Sequence, residues 1–549
     1  MDVIERHIPA DCIRNPEDLV KTLQMFCKRN SFEMESLEMR NDAYIIRARP
    51  IFVHKLESFS RLEGKRSAKQ VFLTLIYSDA IEYIRDLQEA NFTDGDLPVR
   101  KRRSRTAPGK TSIYRSRVND TSPYTKTSLS GFQKWTEVKL DNFLHKQWIF
   151  LAPVLAEHKF AHVFHLSSPL PYVPTEGSDR SSEAGYFGAV KKRGLHNGHH
   201  AYRTLSEDEE TEGCIEVAVK KLTIQGSAAT DVDKFYSKET ETLDKMRELD
   251  HDHLIKAVAA YKKGPDRCFV FPWAQGGSLR DLWRSYRAIL NEDLVSWAVN
   301  QMIGLCDGLR ELHIKHIRHG DLKPDNILCF MSGNDSPHQR TLVLADVGLA
   351  KYHAEYTRDR TKVTTTKHGS RIYEPPEMSV NGGQIKVSRN YDTWSLGCVF
   401  LEFTIWLLYG QDGRTSFRQK LLNNPDIDRF WKNDIDQSPQ IHPVAREWLD
   451  KILTKDLQGV SALRDLVLWI DEQLLVPGSG QRATAEGVFS ELDRIRSKSS
   501  SNRRYLFNSE LKELAKHRDG SNFVAADDRP HPSREYVTGK SKLNESNII

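Results

Sequence analysis

Between His319 and Leu328 the sequence reads HGDLKPDNIL. This places an acid (Asp321), a cation (Lys323) and an amide (Asn326) on one short stretch bounded by apolar residues. Phosphoryl transfer would suit such a set, because it asks little covalent chemistry of a protein and much in-line positioning and charge neutralisation. Asp321 can accept the proton of an attacking hydroxyl and orient it. Lys323 can neutralise the phosphate as it moves. The amide oxygen of Asn326 can serve Mg²⁺, a hard ion that takes oxygen ligands. Downstream, Leu342–Gly348 (LVLADVG) reads as an apolar strand ending in Asp346, which would bind Mg²⁺ bridging the phosphates.

Other elements must bring the rest of such a site together. Val217–Lys220 (VAVK) is an apolar strand that carries Lys220 inward. A buried ammonium is costly without an anion, so phosphates and a carboxylate are expected beside it. The carboxylate should come from the next helix, residues 234–249, where Phe235, Leu243, Met246 and Leu249 recur at helical spacing. Glu239 shares a face with Leu243 and is assigned to Lys220, with Glu241 as the alternative. Upstream, Gly185, Gly188 and Val190 form a partial glycine-rich loop, whose backbone can approach phosphate without a Cβ clash. Cys268–Phe271 is a short strand running into PWAQGGS, which suits a connector between two lobes. There the Pro272 carbonyl and the Ala274 N–H would read an adenine edge, with Phe271 behind it. The polar insertion between Val190 and Val217 contains His196, His199, His200 and Cys214. Their spacing matches no zinc pattern, and the insertion reads as a hairpin loop.

Taken in order, these motifs resemble the signature set of eukaryotic protein kinases. The resemblance covers roughly 172–498, and the Lys323-Pro-Asp-Asn wording is similar to the serine/threonine type. HGDLKP, FPWAQGGSLRDLW, QWIFLAPVL, HIPADCI and NFTDGDLP further resemble kinase-like proteins of filamentous fungi. The resemblance implies an α+β, two-lobed fold with a five-stranded N-lobe and a helical C-lobe, to which the apolar periodicity of residues 1–99 adds an N-terminal helical module. It implies ATP and Mg²⁺ as cofactors and protein substrates carrying Ser or Thr. It adds Ala218 and Ser278 to the ATP-binding set, and Leu243, Val347 and His319 to an internal apolar spine. It identifies RIYEPPE as the end of the activation segment, DTWSLG as the start of the central helix, and Arg482 as the ion-pair partner of Glu377. Thr361, Thr364, Thr365, Thr366 and Ser370 become candidate phosphorylation sites. Three positions depart from the pattern. Glu183 replaces a loop glycine, Val347 replaces the usual Phe, and Gly320 replaces the Arg that normally holds an activation-segment phosphate. The last departure implies that activity is not switched by that phosphate.

Composition sets the frame. The 549 residues carry a net charge of +5, too little to argue for nucleic-acid binding. Seven scattered cysteines with no CxxC spacing point to a reducing compartment, cytoplasmic or nuclear. The apolar run near Trp394–Leu408 is interrupted by Glu402 and suits a buried core helix rather than a membrane span. Residues 1–99 are expected to be helical, with apolar steps at Leu19, Leu23 and Phe26 and again at Tyr77, Ile81, Ile84 and Leu87. Residues 100–131, opening on RKRRSR, read as a basic Ser/Thr-rich linker, 132–171 as a segment leading into the core, and 499–549 as a polar tail with a short helix near 508–517. Two rival readings remain. One is a nucleotide-binding pseudokinase scaffold. The other is an interaction protein in which residues 1–99 and the basic linker bind a partner or nucleic acid and the kinase core is subsidiary.

Overall fold

The computed structural model describes residues 4–9, 32–40, 43–50, 68–103, 111–115, 128–155, 158–173, 175, 188–200, 214–222, 229–287, 289–331, 340–347, 371–380, 388–423 and 429–519. The chain begins with strands: β1 (Ile4–Pro9), β2 (Phe32–Arg40) and β3 (Ala43–Pro50) form an antiparallel sheet in the order β1-β3-β2. This corrects the expectation of a helical module from residue 1. In β2 the apolar residues of FEMESLEMR alternate with a period of two, interrupted where the register shifts between Met34 and Ser36. The expected helical step at Leu19–Phe26 lies outside the described residues. Helix does appear at α1 (Lys69–Tyr77) and α2 (Ile84–Glu89).

The basic run is not a linker at its start. Val99–Arg103 forms β4 and pairs antiparallel with β5 (Thr111–Arg115), Val99 opposite Arg115. The pairing sends Val99 and Ile113 inward to Val71, Leu75, Leu87, Phe132, Trp135 and Phe143. Helix α3 (Glu137–Lys146), capped by the Thr136 hydroxyl, closes this N-terminal core. Residues 132–151 therefore belong to the N-terminal unit. The unit leans on the next one through Trp148, stacked on His165 with ring centroids 3.9 Å apart.

The first lobe is built on a sheet of six strands among the described residues, rather than the five expected. Its strands are β6 (Ala161–Phe164), β7 (Tyr172–Val173), β8 (Gly188–His196), β9 (Cys214–Leu222), β10 (Ala259–Lys263) and β11 (Asp266–Pro272), in the order β6-β10-β11-β9-β8-β7. The extra strand, β6, runs parallel to β10, so the lobe begins ahead of Tyr172. Strands β8 and β9 form a long hairpin, His196 opposite Cys214, which is the form the His-bearing insertion takes where it is described. Period-two alternation along β9 buries Ile215, Val217 and Val219 against Tyr261 and Val270 on one face. It turns Lys220 and Leu222 to the other, towards helix α4 (Ala229–Arg247).

The second lobe is helical. Helix α5 (Leu279–Ser285) and the 23-residue α6 (Glu292–Ile314) precede the hairpin β12 (Ile327–Met331) and β13 (Arg340–Leu344). After α7 (Glu377–Val380) comes α8 (Asn390–Leu421), broken at Gly410, whose φ of 69° is open to glycine. By length and composition α8 could cross a membrane, yet it is buried within the lobe along nearly all of Tyr391–Leu408. A small hairpin, β14 (Trp431–Asn433) and β15 (Pro439–Ile441), leads to α9 (Pro443–Lys451), α10 (Ala462–Trp469) and α11 (Ala485–Ser501). The region past 498 is no mere tail. α12 (Arg503–Leu506) and α13 (Ser509–Asp519) bury Tyr505, Leu506 and Leu511 in the main core.

One ionic cluster is sealed inside this lobe. Glu402, fully buried on α8, accepts from Tyr373 Oη at 2.8 Å, Arg418 Nη1 at 2.7 Å and Arg414 Nε at 3.1 Å. Burial opposes its ionisation, but Arg418 and Arg414 outweigh that and hold its carboxyl below the usual range. Removing one partner of a buried pair strands the other charge. Glu402→Ala is expected to cost about 3–5 kcal/mol in a urea-unfolding measurement. An unchanged midpoint would refute the reading.

Candidate active site

The catalytic stretch is shaped first by a residue to which the sequence assigns no chemistry. Asp392, at the start of α8 and fully buried, accepts from His319 N at 2.9 Å, Gly320 N at 2.7 Å and His313 Nε2 at 2.9 Å. Two successive backbone amides are thus aimed at one carboxylate, and Gly320 adopts φ 75° to allow it. A side chain in that left-handed region costs about 1–2 kcal/mol. Glycine is therefore the unstrained residue here, which gives Gly320 a backbone role that spacing alone did not reveal. His319 beneath it is fully buried, and burial holds its imidazole below the usual range, hence neutral.

From this anchor the reactive side chains fan out. Lys323 Nζ lies 2.7 Å from Asp321 Oδ2. Asn326, in a 3₁₀ turn opened by Pro324, donates Nδ2 to the Asp321 carbonyl at 2.7 Å and to Asp321 Oδ2 at 3.0 Å. The next residues pair with β13, Ile327 opposite Leu344, and Ala345 N donates to Asn326 O at 2.9 Å. This hairpin delivers Asp346 beside the same loop. Asp346 is held at φ 58°, a strained conformation for a residue with a side chain.

Lys220 departs from the expected pairing. Its Nζ lies 2.6 Å from Asp346 Oδ1, and Asp346, not Glu239, is its ion-pair partner. The reason lies in where the two acids sit. Burial pushes the Glu239 carboxyl up to about 8, with Lys220 opposing and Asp346 adding to the rise. A neutral carboxyl is a weak counter-ion. For Asp346, burial also opposes ionisation, but Lys220 first and then Lys323 hold it below the usual range. Glu241, the alternative, is a surface residue bonded to Lys245 at 2.7 Å.

The nucleotide-binding candidates follow the sheet. Val190 lies opposite Lys220, and Ala218 opposite Phe271, with Gly188 at the start of β8. The connector after Pro272 is fixed by Gly276 N donating to Cys329 O at 3.0 Å and Cys329 N to Gly277 O at 2.8 Å. A Cβ on Gly276 would come within 2.7 Å of Cys329 Sγ. Ala274 sits in this connector and is buried. Ser278 caps α5: its hydroxyl oxygen accepts from Asp281 N at 3.2 Å, and the Asp281 carboxylate accepts from Ser278 N at 3.0 Å and from the hydroxyl at 2.6 Å. Leu243, Val347 and His319 are all buried, the first two in one core. Glu377 and Arg482 form a two-pronged pair at 2.9 and 3.1 Å, with Arg482 stacked on Trp394. Gly185, Glu183, Gly348, Thr361, Thr364, Thr365, Thr366 and Ser370 lie outside the described residues. Among the described residues no cluster of three or more His, Cys, Asp or Glu side chains forms a metal cage. The oxygen ligands offered at Asn326 and Asp346 fit a hard ion that a substrate's phosphates help to hold.

Comparison with known proteins matches residues 203–464 to the protein kinase domain. Serine/threonine-protein kinase PKH3 of Eremothecium gossypii is 26% identical over 263 residues, which is 47% of this chain and 33% of that protein. The calcium/calmodulin-dependent protein kinase cmkA of Emericella nidulans is 29% identical over 245 residues, 41% of this chain and 54% of that protein. Serine/threonine-protein kinase H1 of Homo sapiens is 27% identical over 224 residues, 40% of this chain and 48% of that protein. The matched stretches thus span about half or less of these relatives' own lengths.

Two outcomes follow from the site's geometry. Gly320→Ala should lose about 1–2 kcal/mol of stability in chemical unfolding, and no loss would refute the strain argument. Glu239 binds a proton in the folded chain that the unfolded chain, near 4.5, has released. Its contribution is therefore full below about 4.5 and is lost as pH rises towards about 8. Glu239→Gln should gain thermal stability over wild type progressively across that window and level off above it. A gap independent of pH would contradict the assignment.

Proposed function

Starting from a chain that carries a eukaryotic-type protein kinase domain of the serine/threonine class, we propose that it transfers the γ-phosphate of ATP to Ser and Thr hydroxyls of protein substrates. The observation that carries this reading is that Asp321, Lys323 and Asn326 bond to one another at 2.7–3.0 Å, while Lys220 pairs at 2.6 Å with an Asp346 that lies close enough to the loop to feel the charge of Lys323. The roles of base, lysine and metal ligand each have a residue, while the pair expected between Lys220 and Glu239 is not made in this structure.

Each residue has a physical task. Asp321, held by Lys323 and Asn326, orients the acceptor hydroxyl and takes its proton. Lys323 sits beside the base, where it offsets charge on the phosphoryl group in flight. Lys220 pairs with Asp346 and is the cation beside which substrate phosphates would lie. Asn326 and Asp346 are the residues that would hold Mg²⁺, which when bound neutralises charge on the phosphate oxygens. The strand pairing of Ala218 with Phe271, leading into the connector at Pro272–Ala274, supports placing adenine there, against apolar side chains and backbone groups. Gly320 supports a site not controlled through an arginine at that position. The folded N-terminal unit, with a core of its own packed on the first lobe, supports a role as a protein-binding module. The described cysteines are free thiols, which supports a cytoplasmic or nuclear location.

The test is transfer of label from γ-labelled ATP to a mixed Ser/Thr peptide pool. Wild type should transfer label, and Asp321→Asn should lower the rate by roughly 10²–10⁴-fold. Equal rates for the two proteins, or nucleotide binding without transfer in both, would favour the scaffold reading.

A further inference from the structure

A carboxylate on the catalytic loop is left over once the reaction has been assigned. Asp325 lies in the same 3₁₀ turn as Asn326, four positions beyond Asp321, and its side chain is 41% exposed. A peptide that presents a hydroxyl to Asp321 must carry its flanking side chains past this surface. Left alone, Asp325 would draw lysine or arginine there. It is not left alone. Arg280, from α5, places Nη2 2.6 Å from Asp325 Oδ2.

The position of Arg280 is set by the fold rather than by this contact. Ser278 and Asp281 cap its helix, and the Gly276–Cys329 and Cys329–Gly277 backbone bonds fix the approach to it. Its one hydrogen bond among the described residues goes to Asp325, while its Nε is buried without an acceptor. Behind it lies the sealed cluster of Glu402, Tyr373, Arg414 and Arg418, which Arg280 approaches closely enough for its charge to act on Glu402 and Tyr373. Glu402 is wholly consumed there by two guanidiniums and a phenol. Three guanidiniums against two carboxylates leave the group one positive charge. Tyr373 ties this charge to the segment 371–377, which the hairpin base secures through Phe430 N to Ile372 O and Trp431 Nε1 to Glu374 O. The charged group thus lies between the catalytic loop and that segment.

We propose that Arg280 is a specificity-determining residue, which cancels Asp325 and makes the chain prefer acceptor peptides with acidic or uncharged flanks over those with lysine or arginine. The inference rests on the kinase reading above and names the substrate class for the same site. A long side chain with a permanent planar charge suits the task, since it neutralises a carboxylate at the surface while its stem stays packed.

The experiment compares kcat/KM for Ser peptides whose flanking positions are all-Glu, all-Ala or all-Arg. Wild type should favour the Glu and Ala sets over the Arg set by at least about fivefold. Arg280→Gln should bring the Arg set level with or above the others, chiefly through KM, with kcat on the Ala set within about threefold. Arg280→Lys keeps the charge and should keep the wild-type order. Preference for the Arg set in wild type overturns the proposal whether or not any variant folds. So does an unchanged order in an active Arg280→Gln. If wild type labels none of the three sets and no protein pool, the kinase reading itself has failed, and this inference falls with it.

Discussion

The buried carboxylate of Asp392 is the constraint on which the rest of the site depends. It is the point where α8 touches the catalytic loop, and it accepts from two consecutive loop amides and from His313. Hydrogen bonds to a charged acceptor contribute about 1.5–3 kcal/mol each. They cannot be exchanged for water at a fully buried position. Gly320 bends to make them, His319 is packed neutral beneath, and Asp321 emerges from the bend pointing at Lys323 and Asn326. The loop is therefore hung from the core helix, and the precision of its reactive end is inherited from a contact on its buried side.

The other half of the site comes from the sheet. Lys220 is turned inward by strand alternation, and Asp346 is carried to it by a hairpin that starts at the loop's own Asn326. Their pair spans the two lobes. Glu239, buried beside them and largely neutral, completes a three-group arrangement in which one positive charge serves two carboxyls, only one of them ionised. The lobes are thus coupled through charge at the place where phosphates would enter. They are coupled again through the parallel bridge between Leu254 and Leu344.

Much of the reactive set was legible in the sequence, because the chemistry demands particular side chains at short range. Asp321, Lys323 and Asn326 fall within six residues, and Asp346 follows an unmistakable apolar strand. What the sequence hides is whatever depends on distant partners. Asp392 looks like any acid at a helix start until the fold brings it under Gly320. The choice between Glu239 and Asp346 for Lys220 rests on burial, which no spacing reveals. Ser278 reads as a polar residue beside a ligand until its helix begins one residue later. The RKRR run reads as solvated chain, because the strand that orders it, Thr111–Arg115, lies beyond an intervening polar stretch. Residues 32–40 hide a period of two among charged residues, and the shift at Met34–Ser36 breaks the pattern further.

The most direct test of this account is Asp392→Asn, followed by two readings on the same protein: phosphoryl transfer to peptide, and Mg-nucleotide affinity by calorimetry. Transfer should fall by roughly a hundredfold, since the loop loses its charged anchor, while nucleotide affinity, which the proposed function assigns to the sheet, the connector and Lys220, stays within about threefold. Unimpaired transfer, or an equal loss of both, would contradict the claim that this buried carboxylate positions the catalytic loop.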